Sequence, residues 1–137
     1  MVIQETIQTK INTIRFSFFL LCISLMIRYV SFRNKAVKAR LNMKDRTVGI
    51  RTTDQKAART FSFKNGKIKS SGRVLPQTDA ALIWSDAGLA FSAMASGYDG
   101  NIFRAFQQGN ALIEGDAEDI FWFFSTLREV KDFFTAG

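Results

Sequence analysis

Histidine is absent from the 137-residue chain. The commonest general base and imidazole metal ligand is therefore missing, and no serine has an imidazole to activate it. The single cysteine, Cys22, sits in an apolar run, so neither a disulfide framework nor a zinc spacing exists. Proline occurs once, at Pro76. Gly97-Tyr-Asp-Gly100 has neither the P-loop nor the dinucleotide spacing, so no phosphate-cradling loop is present. Catalysis would fall to carboxylates or lysine alone, and the expectation is a protein that is not an enzyme and needs no cofactor. Glu114, Asp116, Glu118 and Asp119 cluster, but acids at a helix start suit the helix dipole better than they argue for a hard cation.

What is present is apolar bulk. Hydrophobic residues make up 47% of the chain and Phe alone occurs 14 times, which excludes a disordered chain and demands a core. So many rings either fill that core or wall a cavity. The length allows one domain with roughly 30 residues to spare. The net charge of +7 is uneven: residues 28–73 carry 14 Lys/Arg against two acids, whereas residues 74–137 carry three against nine. Such a dipole suits an anionic surface approached from one side.

From Phe16 to Ile27 the chain reads FSFFLLCISLMI between Arg15 and Arg28. Twelve residues fall short of the ~20 that span a bilayer, but Ile11 to Tyr29 is otherwise apolar or small if Arg15 snorkels outward. A signal peptide fits poorly, with Glu5 in the leading region and no small-x-small cleavage site after the run. A membrane anchor, a helix lying in the interface and a helix packed on a protein partner all remain open. Under the anchor reading, Arg28, Arg33, Lys35, Lys38 and Arg40 face an anionic leaflet and place the C-terminal domain on the cytoplasmic side. Val30, Phe32, Val37 and Leu41 continue a loose helical pattern, so residues 1–41 are read as one helical anchor segment and 42–137 as the domain.

In that domain, Thr47–Thr53 reads as a strand and Ala58–Lys64 alternates, with Phe61 and Phe63 on one face. Asn65-Gly66 is a type I′ hairpin signal leading into a strand over Lys67–Val74, which implies an antiparallel sheet. After Pro76, Ala80–Trp84 reads as a strand. Ser85 or Asp86 caps a helix through Ser96 whose stripe is Ala87, Ala90, Phe91 and Met94, with Gly97 as its stop. Asp99 caps a short helix carrying Ile102, Phe103 and Phe106, which Gly109 ends; Ala111–Glu114 is a buried strand. Asp116 caps the last helix with Asp119 as its capping partner. That helix is apolar over an arc wider than one stripe, from Ile120 and Phe121 to Phe133 and Phe134. Strands followed by helices make an α+β domain.

The order of these elements, with Asp79-Ala-Ala-Leu-Ile-Trp-Ser-Asp86, Tyr98-Asp-Gly-Asn-Ile-Phe-Arg-Ala-Phe106 and Gly109-Asn-Ala-Leu-Ile-Glu-Gly-Asp116, resembles the sterol-carrier-protein-2 (SCP2) family. Asp79, Phe106, Gly109, Gly115 and Asp116 carry the match, the hairpin Phe61–Gly66 adds to it, and the stretch covered is Thr47–Phe134. The resemblance implies a sheet covered by helices, with an apolar tunnel for a sterol, fatty acyl chain or isoprenoid quinone. It also implies a non-catalytic accessory role, as in bacterial ubiquinone synthesis, or a subunit of a larger membrane protein complex. The apolar N-terminal extension departs from the family and favours a membrane-fixed role over a free shuttle.

The expected lining is Phe61, Phe63, Trp84, Phe91, Met94, Phe103, Phe106, Phe121 and Phe124, each otherwise an ordinary core residue. Lys64, Lys67, Lys69 and Arg73 on one hairpin raise nucleic acid as a partner. Inward-pointing Phe61 and Phe63 leave no stacking platform there, so a membrane surface or acidic protein is preferred. The expected function is non-catalytic binding of an apolar lipid at a membrane. The alternative is an assembly subunit of a membrane complex that keeps the fold without a ligand.

Overall fold

The structure, a computed structural model, describes residues 2–73, 78–97 and 99–135; the side chains of residues 2–6 and of Asp99 fall outside that description. The chain runs α1 (Val2–Arg33), α2 (Lys35–Asn42), β1 (Arg46–Thr52), β2 (Ala58–Lys64), β3 (Lys67–Ser71), β4 (Ala80–Trp84), α3 (Ala87–Ala95), α4 (Asp99–Gln107), β5 (Ala111–Gly115) and α5 (Ala117–Thr135). The fold is α+β, with a long apolar helix leading a five-stranded sheet.

Local chemistry accounts for most boundaries. Asn65 and Gly66 sit at φ 54° and 73°, the paired positive values that a two-residue turn between right-twisted strands requires. The Asp86 carboxylate accepts from the Gly88 amide at 2.7 Å to start α3, and Asp116 accepts from Glu118 at 2.9 Å to start α5. The expected single helix over residues 1–41 is instead two. Asn34 takes an extended conformation (φ −130°, ψ 118°) and its side chain accepts from the Val37 amide at 3.0 Å, so it caps α2 instead of continuing α1. The strand expected over 67–74 closes at Ser71; Val74 and the break at Pro76 lie outside the described residues.

The sheet order is β3-β2-β1-β4-β5, and β1–β4 is a parallel pair, so the sheet is mixed where sequence reading implied antiparallel pairing. The β1–β2–β3 meander fills one side of β1 and leaves its other edge to β4, which runs in the direction of β1 and of β3.

Registers pair Val48 with Phe61 and Ala80, Phe63 with Ile68, and Leu82 with Ile113, so these side chains share one face. Helices cover that face, and Phe61, Phe63, Leu82 and Trp84 are fully buried beneath them. The other face carries Thr47, Arg51, Ser62 and Lys69.

Helix α1 belongs to this core. Phe16, Leu20, Ile23, Ile27 and Val30, spaced 4-3-4-3, form its inward stripe and join the same hydrophobic cluster as the sheet residues. Burying a side chain of this size contributes ~1.5–3 kcal/mol, so the helix is held to the domain by several such terms.

One knot ties three strand ends together. The Asp79 carboxylate accepts from the Thr47 amide at 2.8 Å, its own amide donates to the Thr47 carbonyl, and its carbonyl accepts from the Asp116 amide at 3.0 Å. Gly115 turns at φ +82° directly against that carbonyl, where a Cβ would collide with the Asp79 oxygen. Gly115→Ala is therefore expected to cost at least about 2 kcal/mol, seen as a Tm fall of roughly 6–10 °C. An unchanged melting curve would mean the turn relaxes freely.

Candidate lipid cavity

A cavity of about 320 Å³ lies where α1, α3, α4 and α5 meet. From α1 it takes Phe19, Ile23 and Met26; from the end of α3, Met94, Ala95, Ser96 and Gly97; from α4, Ile102; and from α5, Phe124, Leu127, Arg128, Val130, Lys131, Phe134 and Thr135. Its wall is apolar and its rim polar. Ser96 is fixed at the rim, donating to the Ala93 carbonyl at 2.8 Å and accepting from Asn101 at 3.0 Å. Gly97, at φ +67°, ends α3 and leaves room for the Lys131 side chain, whose Nζ lies 2.9 Å from where a Cβ would stand.

Of the nine residues that the sequence nominates for the lining, Met94 and Phe124 line this cavity. Phe61, Phe63 and Trp84 are fully buried in the sheet core, where rings meet rings. Phe61 lies 4.9 Å from Phe123, and Phe63 stands edge-on to Trp122 at 4.9 Å. Phe91 backs Phe19 in a T-shaped contact at 5.4 Å, with the Arg15 guanidinium 5.5 Å from its ring centroid. Phe106 packs half-buried against the core. Phe103 and Phe121, 54% and 48% exposed, face outward from α4 and α5.

Sequence reading missed Phe19, Ile23 and Met26, because it set α1 apart from the domain. Spacing alone could not have found them, because the buried Phe16, Leu20, Ile23 and Ile27 and the exposed Ile11, Ile14, Phe18, Leu21 and Leu25 repeat at the same steps of three and four.

The five basic residues after the apolar run divide into two groups. Arg28, Arg33 and Lys35 are exposed, and Arg33 lies 5.7 Å from the Tyr29 ring centroid. Lys38 donates to the Gly66 carbonyl at 2.7 Å, and Arg40 donates to Ser125 at 2.8 Å and approaches Glu129 at 3.8 Å, so these two hold α2 to the domain.

The four clustered acids also separate. Glu114 approaches Arg51 at 3.8 Å and Asp116 caps α5. Asp119, expected as a capping partner, turns inward instead and binds Arg46 at 3.0 Å. Its neighbourhood explains the difference. The Arg46 guanidinium is buried against the Trp122 ring at 3.9 Å and needs a counter-charge that only a buried carboxylate can supply.

No family model matches the sequence, and a search of the curated proteins finds no match. Solved structures do match in shape. The chain superposes on a ubiquinone synthesis protein, UbiJ-SCP2, with a TM-score of 0.63 at 12% identity, covering 81% of this chain and 89% of that one. That coverage exceeds the stretch 47–134 and so takes in part of the N-terminal helices. The stereoselective inverting sec-alkylsulfatase Pisa1 from Pseudomonas sp. matches with a TM-score of 0.50 at 20% identity, over 65% of this chain but only 14% of the enzyme.

Proposed function

We propose that this chain, which adopts the SCP2-like fold, binds the apolar chain of a lipid without catalysis, at a membrane surface, in the cavity between α1, α3, α4 and α5. The cavity carries the reading. At about 320 Å³ it lies at the small end of the ~300–1,000 Å³ typical of ligand sites, so it takes part of an acyl or isoprenoid chain.

Its chemistry supports an apolar guest. Phe19, Ile23, Leu127 and Val130 offer no hydrogen bond, and Met26 and Met94 supply flexible thioethers that adapt to chains of varied shape. Ser96, Arg128 and Lys131 at the rim give a polar end of the guest somewhere to lie. An isoprenoid quinone is the guest favoured by the likeness to a ubiquinone synthesis protein.

Native mass spectrometry of the purified chain tests this: a stoichiometric greasy ligand is expected. Ala95 lines the cavity at an exposed position, so Ala95→Trp plugs it with little effect on folding. That variant is expected to lower ligand retention at least ~10-fold, about 1.4 kcal/mol of binding, with Tm nearly unchanged. A ligand-free wild-type protein that stays bare when offered lipid extract would leave the assembly-subunit reading in its place.

A further inference from the structure

We propose that α1 lies in the plane of an anionic membrane, sinking its outward stripe into the boundary between headgroups and acyl chains and holding the cavity mouth against the leaflet. The part concerning the mouth rests on the lipid-binding reading above; the docking of α1 does not.

The inward face of α1 is buried in the domain. On its outward face Ile11, Ile14, Phe18, Leu21, Leu25 and Phe32 repeat at steps of three and four, and all are 36–77% exposed. Arg28 occupies the one step between Leu25 and Phe32. At 1.5 Å per residue this line is about 32 Å long. Six large apolar side chains in a row exceed what a monomer leaves to water without a use for them.

Charge selects the occupant. Lys10, Arg15, Arg28 and Arg33 are exposed on the same helix and Lys35 follows at the start of α2, while the described side chains of α1 include no acid. A second copy laid along this face would set arginines against arginines, with no acid among the described side chains of α1 to pair them. An anionic leaflet meets both demands, since it takes the apolar line and the cations together.

Spanning is disfavoured by the cavity itself. Phe19, Ile23 and Met26 form one of its walls only while α1 stays docked on the domain. The mouth also adjoins the stripe. Tyr29, one turn after Leu25, is exposed and stacks on the lining residue Phe134 at 6.2 Å, and Met26, 40% exposed, lines the cavity as well. Exposed aromatic rings beside a mouth are suited to the headgroup level.

The test is flotation of the full-length chain with vesicles of phosphatidylcholine alone, or with phosphatidylglycerol added. Retention of a fluorescent stearate analogue is measured in parallel. Partitioning is expected to rise with phosphatidylglycerol and fall with salt. Leu25→Asp and Phe18→Asp, both at exposed positions, should each lower it at least ~10-fold without changing the circular dichroism spectrum or the retention of the probe. Arg28→Gln and Arg33→Gln should each cost roughly fivefold, on anionic vesicles only.

Undiminished flotation of both Asp variants would overturn the proposal. So would resistance of the wild-type chain to alkaline carbonate extraction, which marks a spanning helix. A dimer that Leu25→Asp splits, with no vesicle binding, would give the face to a second copy. Failure of the wild-type chain to hold the probe, with flotation intact, would sink the cavity reading alone.

Discussion

Asp119→Ala should destabilise the fold by about 3–5 kcal/mol, the usual cost of removing one partner from a buried ion pair. Both side chains are nearly inaccessible, at 3% for Asp119 and 7% for Arg46, and the Nη1–Oδ1 distance is 3.0 Å. The guanidinium lies over the Trp122 ring at 3.9 Å, and its Nε has no hydrogen-bond partner. Take away the carboxylate and the buried cation keeps only the ring. Lys44, 3.9 Å from the same oxygen but 59% exposed, adds little to the intact site because water screens it.

Against a total stability of ~5–15 kcal/mol, the loss amounts to about a fifth or more. It would appear as a fall in the denaturation midpoint at unchanged slope. The double variant Arg46→Met with Asp119→Leu should recover much of the loss, because two apolar side chains leave no stranded charge. A single variant as stable as the wild-type protein would show that water reaches Arg46.

Phe123→Ala should cost a similar 3–5 kcal/mol, through the cavity it leaves in the sheet–helix core. Phe123 is 1% exposed, and its ring centroid lies 4.9 Å from Phe61, 6.3 Å from Phe63 and 6.4 Å from Phe124. Phe121→Ala, two residues earlier on the same helix, removes a ring that is 48% exposed and should cost below ~1 kcal/mol. Equilibrium unfolding of the two variants side by side reads the difference. Equal costs would mean that α5 presents a different face to the sheet.

Those two neighbours show where sequence reasoning reached its limit. α5 carries phenylalanines at 121, 123, 124, 133 and 134, and a helix apolar over so wide an arc does not declare which ring turns inward. The alternating β2 had no such ambiguity: the bounds Ala58–Lys64 and the burial of Phe61 and Phe63 follow from a period of two. The bounds of β4 followed from its apolar run, and the cap at Asp116, the choice of Ser85 or Asp86 as the cap of α3 and the Asn65-Gly66 turn were legible because each depends on local backbone chemistry.

The rest depends on partners far away in the chain. The parallel β1–β4 pairing is a property of the path between strands, and the inward turn of Asp119 answers Arg46, 73 residues earlier. The break at Asn34 was local and legible in principle, since asparagine is a strong cap. It was hidden by the apolar pattern running past it. Of the site, Met94 and Phe124 were legible. The α1 wall was not, because a run hydrophobic enough for lipid looked like a segment leaving the domain.

The margins of the sheet have a consequence for how these molecules behave when concentrated. β3 and β5 form the two outer strands, each of only five residues. Exposed Lys67 and Lys69 stud β3, and Glu114 stands on β5. Short, charged margins repel the strand-by-strand growth that turns open sheets into fibrils. Any clumping of the concentrated chain should therefore be amorphous and reversible by detergent, with no gain in thioflavin fluorescence.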